Sequence, residues 1–202
     1  MAKARASSLV KQKNILMAAL SCFTEHGLQG TTIEMIRDAS GASIGSLYHH
    51  FGNKEQIAGA LYLQGMIDHN LYINAALQEA LSSEEGVKNV VVTYGRWVTE
   101  NADWARFLFH SRSEVLNEEG RAQLGKNNRE QFQRLMEWFL PRIEKGEIKN
   151  VPQELYFPLI VGPSHEYARN WLSGRVKKPL VDVAPWLAQG AWDAIRGNVD
   201  LG

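Results

Sequence analysis

Residues 41–55 read Gly41-Ala42-Ser43-Ile44-Gly45-Ser46-Leu47-Tyr48-His49-His50-Phe51-Gly52-Asn53-Lys54-Glu55. Ser43 can cap a short helix running to about His50, and Gly52-Asn53 breaks it. Placed 100° apart around that helix, Leu47 and Phe51 point one way, and Gly45 and His49 point roughly the other. Ser46 and Tyr48 sit on the flanks. No acidic residue occurs from Gly41 to Lys54. A helix meant only for solvent usually carries Glu and Lys on its outer arc. A helix meant for a major groove needs narrow side chains and no repelling carboxylate.

Upstream, Ile15, Leu16, Ala19, Leu20 and Phe23 recur at the three-and-four spacing of a helical face, predicting a helix from about Ser8 to His26 that stops at Gly27. A second helix opens at Thr31, where Thr31-Thr32-Ile33-Glu34 fits a capping box. Ile33, Ile36 and Ala39 form its apolar stripe, and Gly41 ends it. Two short helices joined by a tight glycine-containing turn describe a helix-turn-helix. Leu47 and Phe51 then point into the groove between the first two helices.

Downstream, helical patterns are read at about 54–81, 84–101, 102–115, 118–145, 153–173 and 181–197. All six prolines lie after residue 140, which suits uninterrupted helices before it. Pro141 should bend or end its segment, and Gly162-Pro163 should do the same to the next. No apolar/polar alternation bounded by hairpin turns is found. The chain reads as all-α, with about nine helices and no repeat. All six tryptophans follow residue 90. Between Tyr94 and Arg112 aromatics point around most of a helix, mixed with His and Arg. That pattern fits a helix buried on several sides. It also fits an apolar pocket with a few orienting polar groups. For the pocket the candidates are Trp97, Trp104, Phe107, His110 and Arg112, with Met136 and Phe139 opposite. An inward His110 or Arg112 would imply an anionic or hydrogen-bonding ligand group.

The chain has 202 residues, 22 basic and 22 acidic, for a net charge of zero. The balance is uneven: residues 1–54 carry +3 and the remainder −3. A basic head on an acidic body is expected when one end meets a polyanion. The apolar stretches fall short of a membrane span, so no membrane partner is expected. No apolar core of a secretion signal follows the basic N-terminus. The single cysteine, Cys22, excludes an intramolecular disulfide and suits a reducing, cytoplasmic setting. Beside Phe23 it reads as a small core residue. No paired carboxylates, glycine-rich phosphate loop or Ser/Cys-His-Asp set stands out, so no catalytic residue, cofactor or metal is expected and an enzyme is disfavoured. Asp68-His69 and His165-Glu166 are adjacent pairs of a kind common by chance. His49 and His50 diverge by 100° and make a poor metal pair.

The run Thr31-Thr32-Ile33-Glu34-Met35-Ile36 followed by residues 41–55 resembles the DNA-binding signature of the TetR (tetracycline-repressor-like) family over about residues 10–65. The resemblance implies a helix-turn-helix head, residues 1–53, on a helical effector-binding and dimerisation body, residues 54–202. It implies that Ile44, Gly45 and Tyr48 face base edges, that Ser46, His49, His50 and Lys54 hold phosphates, and that Thr32 adds a phosphate contact. Ile44 departs from the polar or basic residue common at its position, and Glu34 stands where relatives often present a basic or polar group. Base readout is therefore expected to be sparse, with more weight on phosphates and DNA shape. The resemblance also implies a homodimer through the last two helices, with Trp171, Trp186, Leu187, Ala191, Trp192 and Ile195 at the interface. Two recognition helices would then lie roughly 34–36 Å apart. The expected partners are a double-stranded DNA operator, a second copy of the chain, and an apolar or aromatic small-molecule effector. The expected function is a ligand-released repressor. An activator, or a DNA-binding protein of this fold without an effector, is the alternative.

Overall fold

The computed structural model describes residues 2–111 and 115–197, with side chains from residue 8 onward. Those residues form ten α-helices: α1 (Ala2–Gly30), α2 (Ile33–Ser40), α3 (Ile44–Phe51), α4 (Lys54–Gln78), α5 (Ser83–Glu100), α6 (Ala102–Ser111), α7 (Glu118–Glu144), α8 (Tyr156–Ile160), α9 (Gly162–Leu172) and α10 (Leu180–Ile195). A single 3-10 turn precedes α8, and the extended backbone among the described residues is one isolated bridge between Ile148 and Arg196. No helix among the described residues is long and apolar enough to cross a membrane.

The all-α expectation holds, and the departures from it are local. Gly27 takes a left-handed φ of 69° inside α1, so the helix is interrupted where the sequence placed its end. Thr32, not Thr31, caps α2, accepting from the Met35 amide at 3.3 Å. This shift puts Glu34 at the second helical position, one short of where a capping box needs its acid. The Thr31 hydroxyl is buried instead, and it reaches the carbonyls of Cys22 (3.0 Å) and Gly27 (2.8 Å). It thereby ties the α2 entry to the end of α1. Pro141 ends α7 only three residues later, and Val161 separates α8 from α9 at the expected Gly162-Pro163 break.

The chain divides into two compact units, residues 1–66 with 103–125, and residues 67–102 with 126–202. This packing division differs from the functional one expected at residue 53. The first unit takes in the start of α4, α6 from Asp103 onward and the start of α7. Its core joins Ile15, Ala19, Leu20 and Phe23 of α1 to Ile36, Leu47, Ile57 and Leu61. Phe107 of α6 completes it by stacking on Phe23, with centroids 5.6 Å apart. Trp104 donates its indole N–H to the Leu61 carbonyl at 3.2 Å, and Gly65 leaves room for that ring.

In the second unit α10 packs along α5. Its buried face is a stripe of small and aliphatic residues: Leu180, Ala184, Ala188, Ala191 and Ile195. A Cβ at Gly95 would lie 3.1 Å from the Ala184 methyl, so glycine here lets the two helices approach closely. The end of α10 is fastened by the Lys149 amide donating to the Ile195 carbonyl (2.8 Å) and the Gly197 amide to the Glu147 carbonyl (2.8 Å).

Candidate nucleic-acid interface and buried polar cluster

The third helix is held from both ends and from behind. Ser43 accepts from the Ser46 amide at 3.2 Å, and the Gly52 amide closes the far end on the Tyr48 carbonyl. Leu47 is 1% exposed within the first core, with Phe51 half-buried beside it. Gly45, Tyr48 and His49 are exposed, Tyr48 by 53%. A Cβ on Gly45 would meet open space, so nothing in its own chain requires a glycine there. A mid-helix glycine costs about 1 kcal/mol relative to alanine.

Around this helix, Thr32 is exposed with its hydroxyl on the α2 N-terminus. His50 is half-buried, its Nδ1 3.4 Å from the Gln12 amide nitrogen and its ring edge-on to His49. Ile44 and Ser46 are half-buried. Lys54 is committed inward, its ammonium donating to the carbonyls of Leu28 and Thr31, both at 2.9 Å. It clasps the segment between α1 and α2. Burial, with Glu25 nearby, pushes the Cys22 thiol up, as suits a core residue.

The second unit gathers a polar cluster that spacing along the chain does not reveal. His69 of α4 lies edge-on to the rings of Tyr94 (5.4 Å) and Trp97 (5.3 Å) of α5. Its Nε2 is buried with no hydrogen-bond partner among the described residues. Burial pushes the His69 imidazole down to about 4, against smaller opposing effects of Asn70 and Asp68, so the ring is neutral at pH 7. The Tyr94 hydroxyl, itself pushed up by burial, meets Nδ1 of His165 on α9 at 3.0 Å. The Trp97 indole donates to Asp68 at 2.8 Å. Next to His165, the Ser164 hydroxyl is likewise buried with no partner among the described residues.

Residues 15–61 match the model of the bacterial regulatory proteins of the tetR family. This N-terminal segment is similar to the tetR family. A transcriptional repressor, AcnR of Corynebacterium glutamicum, is 35% identical over 80 residues, 40% of this chain and 38% of its own. KstR2 of Mycobacterium tuberculosis, also a transcriptional repressor, is 41% identical over 58 residues, 29% of this chain and 28% of its own. The matched part thus spans less than two fifths of these relatives' own length. The fold likeness runs further. A TetR-family regulator from Marinobacter aquaeolei superposes with a TM-score of 0.77 at 21% identity, covering 97% of this chain and 100% of that one. FadR of Bacillus subtilis in complex with stearoyl-CoA superposes at 0.76 with 20% identity, covering 91% and 99%. AibR, in complex with isovaleryl coenzyme A and operator DNA, superposes at 0.71 with 21% identity, covering 88% and 96%.

Within this tetR-family fold the sequence-derived ligand residues do not gather at one place in either unit. Trp104 and Phe107 belong to the packing of the first unit. His110 is exposed, its Nδ1 turned back to the Arg106 carbonyl at 2.7 Å. Arg112 lies outside the described residues. Met136 and Phe139 are buried in the second unit, Phe139 against Trp138 and Tyr156. Of the seven, Trp97 alone sits in the polar cluster. The other members, Asp68, His69, Tyr94, Ser164 and His165, come from three helices. For Asp68, His69 and His165 the sequence signal was the pairing of His with an acidic neighbour at 68–69 and 165–166, and for Tyr94 the aromatic stretch that it opens.

The candidate interface residues of the last helices also separate. Ala191 and Ile195 are buried against their own chain, because the small-residue stripe fits α5. Trp186 is 69% exposed, and Trp171, Leu187 and Trp192 are half-buried.

Proposed function

We propose that this protein is a ligand-responsive, DNA-binding transcriptional regulator that represses as a homodimer and leaves its operator when a small molecule binds the second unit. The observation that carries the reading is the α3 arc. Gly45, Tyr48 and His49 face outward without a carboxylate, while Leu47 is fixed in the core behind them. Such an arc can approach base edges closely, Tyr48 can stack on sugars or donate its hydroxyl, and Ser46, His49, His50 and Thr32 can reach phosphates. FadR and AibR, which share this fold, each hold a small molecule, and AibR holds operator DNA as well.

The route from ligand to DNA runs along α4. Its first part, Lys54–Met66, packs in the first unit, and its second part begins at Ile67 in the other. Asp68 and His69 lie just past that boundary. A ligand engaging His69 acts on the same continuous helix whose first turn holds Lys54 to the recognition head. It need only bind the two conformations unequally to shift their populations. The dimer surface is assigned to the outer sides of α9 and α10, with Trp186, Trp171, Leu187 and Trp192 as contacts.

Selection of duplexes from a random pool by the purified protein tests the reading. The expected result is an enriched two-fold-symmetric site with half-sites about one helical turn apart. On that duplex, Tyr48→Ala should weaken binding at least about tenfold with an unchanged melting temperature. No enrichment, or equal affinity of the variant, would remove the DNA-binding assignment.

A further inference from the structure

Besides the Trp138 indole N–H, two polar atoms of the second unit that are buried without a partner among the described residues lie on helices that meet Tyr94. One is Nε2 of His69 and the other is the hydroxyl of Ser164. Leaving such a group unsatisfied costs about 1–3 kcal/mol. The neighbouring polar groups are paired, Tyr94 with His165 and Trp97 with Asp68. Native interiors satisfy nearly all buried polar atoms, so an orphaned one beside two aromatic rings marks a place where an additional molecule completes the bonding.

The chemistry of that molecule follows from the residues facing the site. His69 is neutral, and its interaction with Asn70 is of the kind that favours a ring proton. Nε2 has no partner, so that proton belongs on Nδ1 and Nε2 offers a lone pair. It accepts; it needs a donor. The nearest fixed charge is the Asp68 carboxylate, and no Lys or Arg belongs to the cluster. An anionic head group would meet the Asp68 charge, with the His165 imidazole as the one cluster member able to carry a positive charge. The rings that contact His69 are those of Tyr94 and Trp97, which favour a flat apolar body beside it.

We infer that the second unit takes an uncharged, largely apolar molecule that donates a hydroxyl or N–H hydrogen to Nε2 of His69. This rests on the proposed function in treating the same unit as the effector site. It deepens that reading by setting the ligand class apart from carboxylates and other anions.

The test uses the full-length protein and three probes of one shape: naphthol, naphthalene and naphthoate. Calorimetric titration should show naphthol binding at least about tenfold tighter than naphthalene, the factor for one hydrogen bond of about 1.4 kcal/mol. Naphthoate should bind no better than naphthalene. His69→Leu should abolish the preference for naphthol, and His69→Gln, which keeps an acceptor, should restore part of it. On the unmodified protein the nitrogen-15 resonance of His69 Nε2 should move with naphthol and stay put with naphthalene. Equal binding of all three, tighter binding of naphthoate, binding of none, or a His69 resonance indifferent to naphthol would each overturn the inference. None of these results touches enrichment of a duplex by the wild-type protein, so failure of the ligand class and failure of the DNA reading are separable.

Discussion

The exposed arc of α3 and the cluster around His69 place their polar groups in opposite ways. In α3 the apolar residues are turned in, and Gly45, Tyr48 and His49 look outward. In the second unit aromatic rings close over His69, and the polar atoms are turned inward. An unpartnered polar group on an exposed helix costs almost nothing, because water satisfies it. Its presence there is weak evidence of function, and what singles out α3 is an omission: no carboxylate across the whole arc. A buried orphan costs free energy by itself, so one unpartnered imidazole nitrogen carries more weight than several exposed ones.

The sharpest way to break the comparison is to remove what fixes the arc. Leu47→Ala deletes a fully buried side chain in the first core, and the expected loss is about 2–5 kcal/mol. Urea unfolding should report it, with duplex affinity falling as the helix loses its seat. Unchanged stability would mean that α3 is not anchored through Leu47, and the outward arc would lose its justification.

Acid titration probes the other region. His69 binds protons more weakly in the folded chain, near pH 4, than its ordinary value of 6.5. Its contribution to stability is therefore fully present above about pH 6.5. It is lost as pH falls from there towards 4, because the unfolded chain takes up a proton that the folded chain refuses. The loss at the lower end is about 3 kcal/mol. Asp68, His165 and Tyr94 also face the ring and remain in a His69→Gln variant, so the difference between the two stability curves isolates this group. Curves that stay parallel between pH 7 and 4 would show His69 to be solvated.

The two regions were legible in the sequence to different degrees, for a physical reason. The head is local. Gly27, Gly41, Gly52, Ser43 and the Leu47/Phe51 pair act within a turn or two of their own positions, and helical periodicity reports them directly. The misreading there was also local, a shift of one residue between Thr31 and Thr32. It arose because both hydroxyls can cap, and the carbonyls of Cys22 and Gly27 claim the first of them. The polar cluster is non-local. His69, Tyr94 and His165 sit on α4, α5 and α9, and nothing in one helix announces its partners on another. Aromatic density between Tyr94 and Arg112 pointed to a pocket, yet Trp104 and Phe107 serve the first core. A large ring has the same periodicity whether it walls a site or fills an interior. Ala191 and Ile195 were expected at a dimer interface, and the stripe they share with Ala184 and Ala188 instead packs on α5 of the same chain.

The smallest effect concerns Lys54, where the family resemblance and the geometry pull in different directions. The resemblance gives it a phosphate, and the structure turns two of its hydrogens to the Leu28 and Thr31 carbonyls. An ammonium has three donors and keeps its full charge whichever of them are used. Lys54→Met keeps most of the stem, removes the charge and leaves the two part-buried carbonyls without this donor. The expected stability loss is about 1 kcal/mol. On the selected duplex, the dependence of log affinity on log salt should become shallower by about one, similarly for all sequences. An unchanged slope with the stability loss intact would confine Lys54 to clasping the α1–α2 segment. It would also move the phosphate contacts of this side of the interface onto Thr32, Ser46 and His49.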